Sequence, residues 1–397
     1  MKIAYFGNII NHGIPLAAWG TGFLMSLSNQ PRVDSITIFC PERDSVEQPV
    51  SYPPNFIIRP IIQYDNPLSI LKVLRYIHSG DFDLVFFNLN ATSLGAGSLI
   101  NLLALSAPWI VSRVLKLKTF LLYHSSVLTT NSKKLGYNSL YDLFRMTIVK
   151  LIESILFVSV DTFVLLRIYK AKIDFKLRKN KVHLLSLSFL EPLPTLYFNF
   201  CDHMPDSLRR EKSCSSPTIL LHGFWGPQKN LELALEILAS LKNDGLRFRV
   251  VLSGAINPHF SGYLSHYQAL VDQYHDVIDE LKGFVAERDI LKLFLDADLL
   301  LLPYKVAGGH SGVLEIGFFF ETNIIGITHQ EYEEKAELMK KYLVLVEENN
   351  FREAVKHYVI GWTYSTVKTI VVGAKLASLS KSISELLNSI DSIHDIL

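Results

Sequence analysis

Three loops of this 397-residue chain combine glycines with residues that could bind an anion. Each loop follows a short apolar run and precedes a helical pattern: the first holds Gly7 and Gly13, the second Gly223 and Lys229, and the third spans 308–312. Glycine lets the backbone approach a ligand closely, and a helix start presents free N–H groups to a phosphate. The pattern suits phosphate binding, and it suits equally a tight turn that binds no ligand.

Two charged side chains extend this pattern. Lys229 lies in the first turn of a predicted helix, where the helix dipole disfavours a cation unless an anion is close. A bound phosphate would be such an anion, and a solvated lysine is the alternative. Glu315 lies about one turn inside the helix that follows the third loop. It could bind two ribose hydroxyls, as acids do in dinucleotide-binding folds, or it could only complement the dipole.

Metal ligation is not indicated by the remaining candidates. The segment "DAD", 296–298, leads into a predicted buried strand, which cannot present a helical metal site. His222 and His310 have no third ligand at a recognisable spacing. The three cysteines show no paired spacing and are interpreted as free thiols: Cys40, Cys201 and Cys214. We therefore expect no metal and no cofactor.

Composition limits the classes of partner. Hydrophobic residues make up 49% of the chain and charged residues 19%, so large cores can form. A net charge of +1 argues against a nucleic-acid binder, because such domains are usually strongly basic. The first residues, "MKIAYFG", enter a predicted strand and show no secretory pattern, so we expect a cytoplasmic protein.

Two segments raise the hypothesis of contact with the cytoplasmic face of a membrane. Leu89–Ser112 carries no charge and is long enough to span a bilayer, but its polar residues and Pro108 favour a buried or interfacial helix. Arg167–Lys181 is a basic run that is either solvated or attracted to phospholipid headgroups. Together, this run and the apolar segment Leu89–Val114 would suit a peripheral membrane enzyme.

Buried strands alternate with helical patterns along most of the chain, which favours parallel sheets with crossover helices. The predicted strands are Ile3–Gly7, Ser35–Cys40, Asp83–Asn88, Thr119–His124, Val158–Leu166, Val182–Ser188, Thr218–Leu221, Phe248–Gly254, Val277–Lys282, Asp298–Leu302, Asn323–Thr328 and Tyr342–Val346.

The break in this alternation divides the chain into domains. A proline-rich and polar stretch indicates a linker over 196–216. It separates a domain over 1–195 from a second domain over 217–365, and a helical pattern over 366–397 forms a tail that either caps the second domain or crosses back to the first. The fold class is therefore α/β, with two Rossmann-like doubly wound domains facing across a cleft.

Motifs in both halves resemble those of the retaining GT-B glycosyltransferases related to bacterial mannosyltransferases and sucrose synthase. The segment "GFWGPQK", 223–229, resembles the donor-phosphate loop of that family, and "RVVLSGA", 249–255, resembles the strand that follows it. "ELKGFVAERDILKLFLDADLLLLPY" and "HSGVLEIGFFFETNIIGI" resemble the base-binding segment and a subgroup's donor helix. In the first half, "FDLVFFN" and "TFLLYHSS" stand where the family has its acceptor-side strands.

The resemblance implies roles for individual residues. Lys229 would neutralise the leaving diphosphate, and His124 would act near the sugar or the acceptor. The remaining implied residues would bind the donor: Gly13, Gly223, Phe284, Val285, Gly309, His310, Ser311, Gly312 and Glu315. Phe284 and Val285 would line the base pocket, and Glu315 would hold the ribose.

Two positions depart from the family pattern. The wider family has a second glutamate eight positions before the one matched by Glu315, and Ala307 stands there; the subgroup often lacks this acid too. The family arginine near the lysine is also missing, with Phe224 or Gly226 at the candidate positions. Losing one of two cations on a diphosphate would remove transition-state stabilisation, so another group would have to replace it.

The resemblance implies a metal-independent hexosyl transfer from a nucleotide diphosphate sugar to a hydroxyl of a glycan or lipid-linked glycan, most simply with retention. The two departures motivate a rival from another class, a non-catalytic nucleotide- or sugar-binding subunit with the same fold. A GT-B epimerase or a phosphorylase is a further alternative, although no Schiff-base lysine for a phosphorylase is identifiable.

Overall fold

The computed structural model contains two compact units, one formed by the described residues up to 184 and the other by those from 207 to 371. The structure describes residues 1–7, 15–42, 52–64, 66–89, 98–123, 140–159, 162–165, 182–184, 207–211, 215–285, 287–306, 311–329, 332–333, 336, 339–362 and 367–371.

The first unit is built on a parallel sheet of seven strands in the order β3-β2-β1-β4-β5-β6-β7. The strands are β1 (Lys2–Phe6), β2 (Ser35–Pro41), β3 (Phe56–Ile62), β4 (Leu84–Leu89), β5 (Thr119–Tyr123), β6 (Thr162–Leu165) and β7 (Val182–Leu184). The helices are α1 (Pro15–Ser28), α2 (Leu68–Ser79), α3 (Ser98–Trp109) and α4 (Leu140–Ser159). Strands β1 and β4 are buried along most of their length because both sheet faces are covered, as in doubly wound folds.

The apolar segment after β4 forms a helix that ends in an unusual turn. Helix α3 runs through Pro108, and a π-helical turn, Ile110–Val114, follows it directly. Proline has no N–H to donate, so a wider turn near it is a common accommodation in helices. None of the helices in the described part of the chain is long and apolar enough to cross a membrane.

The second unit repeats the Rossmann arrangement in a parallel sheet of six strands, in the order β11-β10-β9-β12-β13-β14. Its strands are β9 (Thr218–Trp225), β10 (Arg249–Ile256), β11 (Glu280–Lys282), β12 (Leu299–Leu302), β13 (Asn323–Ile327) and β14 (Leu343–Val346). Its helices are α5 (Leu231–Asn243), α6 (Leu264–Gln273), α7 (Glu287–Asp296), α8 (Gly312–Phe319) and α9 (Phe351–Gly361). Numbered within the unit, the order is 3-2-1-4-5-6, and it reverses between β9 and β12.

The α/β fold class with two Rossmann-like sheets is therefore confirmed, but several local predictions differ from the structure. The predicted strand Val158–Leu166 is only Thr162–Leu165, because α4 extends to Ser159. Strand β3 was missed because Arg59 and Pro60 interrupt its apolar run; proline is tolerated there because β3 is the edge of the sheet.

A small antiparallel sheet stands where a linker and a helical tail were predicted. Strand β8 (Ser207–Glu211) lies within the predicted linker, and β15 (Val367–Val371) lies within the predicted tail. The two strands pair, with Ser207 opposite Val371. Pairing gives each strand the backbone partners that neither sequence shows in isolation. The rest of the predicted tail lies outside the described residues.

Candidate functional site

The candidate site lies at the point where the strand order of the second unit reverses. Strands β9 and β12 are neighbours there, and each continues from its carboxyl end into one of the glycine-containing loops. The two loops are joined by a hydrogen bond of 2.9 Å from the Lys305 N–H to the Gln228 carbonyl. Ligands of open α/β sheets bind beyond the carboxyl ends of the strands at such a point.

Two glycines allow the strand ends to come close together. Gly223 on β9 and Gly254 on β10 are paired in register and have positive φ values of 146° and 120°. A Cβ atom on Gly254 would lie 1.8 Å from the Gly223 carbonyl oxygen, so no side chain fits there. A Cβ on Gly223 would face Tyr304 and Val313, with 3.7 Å to the nearer atom. Gly223, predicted to bind the donor, therefore faces the start of α8.

Lys229 ends a short 3₁₀ turn, Pro227–Lys229, and the next residue, Asn230, adopts a left-handed conformation with φ 52° before α5 begins. The turn directs the Lys229 ammonium over the ring of Tyr304, with Nζ 3.5 Å from the ring centroid. Burial lowers the pKa of Lys229 from 10.5 to about 7. An aromatic face replaces only part of the lost hydration, so this lysine would be stabilised in its charged form by a nearby anion.

Tyr304 is a site residue that the sequence analysis did not identify. It follows β12 directly after Pro303, it is only 2% exposed, and its hydroxyl has no hydrogen-bond partner in the part of the chain that the structure describes. Burial raises the pKa of the Tyr304 phenol, and Ser311 lies near enough to oppose that rise without forming a well-directed hydrogen bond. The hydroxyl is therefore neutral and is able to donate to a ligand.

The backbone of Tyr304 is held in place by a histidine. Nε2 of His329 lies 2.6 Å from the Tyr304 carbonyl oxygen, to which it donates. Two more buried polar atoms beside Lys229, Gln228 Oε1 and Asn230 Nδ2, have no hydrogen-bond partner among the described residues. Buried polar atoms are normally paired, so unpaired ones grouped at one edge of a sheet favour a ligand-binding role for that edge.

His222 is the second residue whose role was not anticipated. Its Nδ1 lies 2.8 Å from Ser253 Oγ, and its ring meets Phe294 of α7 edge-on at 5.4 Å between centroids. Burial, followed by the charge of Lys229, lowers the pKa of His222 from 6.5 to about 4. His222 is therefore a neutral group near the Lys229 ammonium.

The start of α8 holds the third group of predicted residues. Ser311 caps the helix, its hydroxyl accepting from the Leu314 N–H at 3.4 Å, and Gly312 is the first helical residue. Glu315 has no solvent exposure, and its backbone N–H donates to the Ser311 carbonyl at 3.2 Å. The apolar first turn of α8 thus contains a buried carboxylate, which is costly unless polar groups compensate it.

Phe284 and Val285 lie at one end of a cavity of about 560 Å³ between α7 and the sheet. The floor of the cavity includes Leu220 of β9 and Val251 of β10. His222 and Ser253 are the next residues on the same sheet face, because alternate residues of a strand share a face. The cavity, the His222 side chain and Lys229 therefore lie one after another along the same half of the sheet.

Several predicted site residues cannot be placed in this geometry. Gly13, His124, Gly309 and His310 lie outside the described residues, and so does Ala307.

Asp298, considered above as part of a metal site, has a structural role. Its Oδ2 accepts from the Thr218 N–H at 2.7 Å, and its carbonyl accepts from the Tyr358 hydroxyl at 2.7 Å. Among the residues that the structure describes, no three histidine, cysteine or carboxylate side chains are grouped as metal ligands.

Comparison with solved structures defines the fold of the whole chain. Sucrose-phosphate synthase from Thermosynechococcus elongatus matches with a TM-score of 0.63 at 13% identity, over 99% of this chain and 96% of that chain. This chain has the GT-B fold. Other GT-B structures that match are Anabaena HepE in complex with UDP-glucose, with a TM-score of 0.58 at 13% identity over 100% of this chain and 99% of that chain, and the UDP-GlcNAc 2-epimerase of Methanocaldococcus jannaschii, with a TM-score of 0.58 at 12% identity over 98% of this chain and 100% of that chain.

Sequence comparison matches no family model and no curated protein. The GT-B assignment therefore rests on three-dimensional similarity that persists where the sequences have diverged. Since the matched proteins include a synthase and an epimerase, the fold alone does not fix the reaction.

Proposed function

We propose that this protein is a metal-independent glycosyltransferase that moves a hexosyl group from a nucleotide diphosphate sugar to a hydroxyl of a glycan or lipid-linked glycan, with retention. The observation that carries the proposal is the buried Lys229 ammonium at the carboxyl edge of β9, facing the Tyr304 ring. Support also comes from the GT-B fold, which occurs in HepE bound to UDP-glucose.

In this proposal the diphosphate occupies the space between Lys229 and the start of α8. The Lys229 ammonium pairs with the phosphate oxygens, and the free N–H groups at the Gly312 end of α8 add partial positive charge. The Tyr304 hydroxyl, which has no hydrogen-bond partner among the described residues, donates to an oxygen of the same group. No second side-chain cation is needed if these neutral donors share the developing charge.

The nucleoside extends from the diphosphate towards Phe284 and Val285, which line the cavity between α7 and the sheet. Glu315, in the first turn of α8, accepts hydrogen bonds from the ribose hydroxyls, as implied by the resemblance of its helix to the family's donor helix. His222 is a neutral neighbour of the diphosphate, because its pKa of about 4 keeps it unprotonated near neutral pH.

Transfer breaks the bond between the sugar anomeric carbon and the diphosphate oxygen and forms a bond to the acceptor oxygen. In the retaining reaction the acceptor attacks the face that the diphosphate leaves, and its proton passes to the departing diphosphate. Charge develops on the diphosphate as the bond breaks, so Lys229 and Tyr304 contribute most when they bind it more tightly in the transition state. His124 is proposed to act near the sugar or acceptor.

Calorimetry with a panel of nucleotide diphosphate sugars, followed by transfer assays with a glycan-lipid extract as acceptor, tests this function. We expect one donor to bind with a micromolar Kd and to be consumed only when acceptor is present. Lys229→Ala should weaken donor binding at least about tenfold, since a charge-assisted contact contributes about 1.5–3 kcal/mol. Lys341→Ala, which changes an exposed lysine of the same unit, is the matched control.

A non-catalytic binding subunit is the second candidate, and the chain itself favours it at two positions. Ala307 replaces an acid, and Phe224 or Gly226 replaces an arginine of the resembled family. This candidate predicts donor binding without any turnover, even with acceptor. A third outcome, conversion of a UDP-sugar to its epimer without acceptor, would point to the reaction named for the Methanocaldococcus protein.

A further inference from the structure

Helix α4 of the first unit has an apolar stripe that faces solvent. Phe144, Ile148 and Leu151 are 67%, 39% and 63% exposed, and their spacing of four and three residues places them on one side of the helix. An adjacent side is the packed one, because Ile152 and Leu156 are buried in the core of the unit. The stripe is therefore additional to the face that folding requires.

The neighbouring helix exposes large apolar side chains as well. Helix α3 lies against α4, and Leu99, Trp109 and Val114, on α3 and its π-helical turn, are also exposed. Six of the fifteen large apolar side chains that are exposed among the described residues thus belong to two adjacent helices. We call these six residues, on α3, its turn and α4, the apolar surface. Large exposed apolar patches usually mark an interaction site.

The charges beside the apolar surface are mostly basic. Exposed Arg113 lies in the π-helical turn, exposed Lys116 and Lys118 follow it closely, and half-buried Lys150 precedes Leu151 on α4. Residues 98–123 contain no acid, and of the two acids of α4 one, Glu153, is only 1% exposed. An exposed tryptophan beside lysines and aliphatic side chains is the composition of a surface that enters the lipid headgroup region.

We propose that the apolar surface docks the first unit on an anionic lipid bilayer, with α4 lying parallel to the membrane plane. Charge complementarity supports a lipid partner over a second copy of the chain. A two-fold dimer through this surface would bring the same basic residues of both copies together, which is unfavourable. Anionic headgroups instead attract and neutralise them.

The proposed function includes a lipid-linked acceptor, and docking on a membrane would bring the enzyme to such an acceptor. Only this biological purpose of docking rests on the proposed function. The inference extends the membrane contact expected from sequence: Leu99, Trp109 and Val114 belong to the segment Leu89–Val114 named there, whereas α4 was not implicated. The basic run 167–181 lies outside the described residues. A transferase docked in this way would meet an acceptor at the height of the headgroups, where the sugar of a lipid-linked glycan is displayed.

Vesicle cosedimentation tests the inference with the full chain. The vesicles are phosphatidylcholine alone or phosphatidylcholine with about one-third phosphatidylglycerol. We expect binding to the anionic vesicles that weakens as salt is raised, because the Debye length shortens. The double variant Phe144→Ser/Leu151→Ser should bind at least about tenfold less, since each large side chain transfers apolar area into lipid. Both residues are exposed, so the fold should be preserved.

Two controls separate the outcomes. Leu264→Ser/Ile360→Ser removes two exposed apolar side chains from the second unit and should bind vesicles like the wild type. Donor-induced thermal stabilisation should be unchanged in the Phe144→Ser/Leu151→Ser variant, so that failure of docking is distinguishable from failure of the donor site. Equal binding of wild type and this variant, no binding to anionic vesicles, or a concentration-dependent dimer that the variant abolishes would each overturn the inference.

Discussion

The ammonium of Lys229 lies 3.5 Å above the centre of the Tyr304 ring, and this contact joins the loops that follow β9 and β12. The two side chains stabilise each other. The ring faces a cation that burial would otherwise disfavour, and the lysine covers an aromatic group at the edge of the sheet. The Tyr304 hydroxyl has no hydrogen-bond partner among the residues that the structure describes.

Substitutions at Tyr304 should separate its ring from its hydroxyl. Tyr304→Phe should raise the free energy of unfolding of the protein without donor by about 1 kcal/mol, because it removes a buried hydroxyl that no described residue pairs. It should also weaken donor binding, because the hydroxyl donates to the diphosphate. Denaturant unfolding and calorimetry measure the two effects. A destabilised Tyr304→Phe protein would mean that the hydroxyl is already paired.

Tyr304→Leu is the matched variant that removes the aromatic face as well. It should lower both stability and donor affinity below those of Tyr304→Phe, since the cation–π contact is lost together with ring packing. Equal properties of the leucine and phenylalanine variants would show that the ring contributes nothing to the position of Lys229.

Donor affinity should depend on pH through Lys229. The lysine has a pKa of about 7 in the free protein, and a bound diphosphate raises it, so binding takes up a proton above about pH 7. Affinity for a nucleotide sugar should be flat below pH 7 and should fall up to about tenfold per pH unit above it. Calorimetry in buffers of different ionisation enthalpy measures the proton uptake.

Lys229→Arg is the control for this pH dependence. Arginine keeps its charge at every accessible pH, so the affinity of this variant should vary little between pH 7 and 9. An equally steep dependence in Lys229→Arg would assign the titration to another group. A nucleotide sugar is the appropriate ligand, because its diphosphate lacks the terminal phosphate ionisation near pH 6.

His222 should make the protein sensitive to acid. Its pKa is about 4 when folded and 6.5 when unfolded, so the unfolded chain binds more protons between these values. The stability contribution is complete above pH 6.5 and is lost as the pH falls towards 4, by a total on the order of 3 kcal/mol. Melting temperatures across this range should fall less steeply for His222→Gln, and an unchanged slope would contradict the assignment.

The close approach of β9 and β10 should tolerate no side chain at Gly254. Gly254→Ala would place a methyl group 1.8 Å from the Gly223 carbonyl oxygen at φ 120°, so we expect a loss of about 3 kcal/mol or more. Gly245→Ala is the matched control, because φ is 85° but no atom lies within 4 Å. It should cost only about 1 kcal/mol of backbone strain. Similar losses for both variants would show that strain alone explains Gly254.

Glu315 can be tested with ligands that differ only at the ribose. The wild type should bind a ribonucleotide diphosphate sugar more tightly than its 2′,3′-dideoxy analogue, because a carboxylate accepts from both hydroxyls. Glu315→Gln should reduce this discrimination at least about fivefold and leave binding of the dideoxy analogue nearly unchanged. Equal losses for both ligands would assign Glu315 a structural role in α8.

The sheets were largely predictable from sequence because buried parallel strands appear as continuous apolar runs. Strand β12 is four leucines, and β1 and β2 end within one residue of their predicted limits. Edge strands need fewer apolar residues and were missed, as β3 shows. Strands β8 and β15 were missed because each becomes stable only on pairing with a partner far away in sequence.

The candidate site was predictable only in part for a similar reason. Lys229 was identified from its position in a local motif, whereas Tyr304 contacts it across two loops that no local pattern connects. The signal that could have found Tyr304 is a tyrosine directly after the strand-ending Pro303, at the edge where the sheet order reverses. His222 was considered only as a metal ligand, and its pairing with Ser253 depends on the register of β9 and β10.

The pairing of β8 with β15 places the entry and the exit of the second unit side by side, with Ser207 opposite Val371. A short glycine-rich turn could therefore join these two points, and new termini could be opened at the exposed turn around Gly245. Such a circular permutant would carry the whole Lys229–Tyr304 region in a single-domain protein. Because its two ends are paired, the second unit can be separated from the first as one continuous domain.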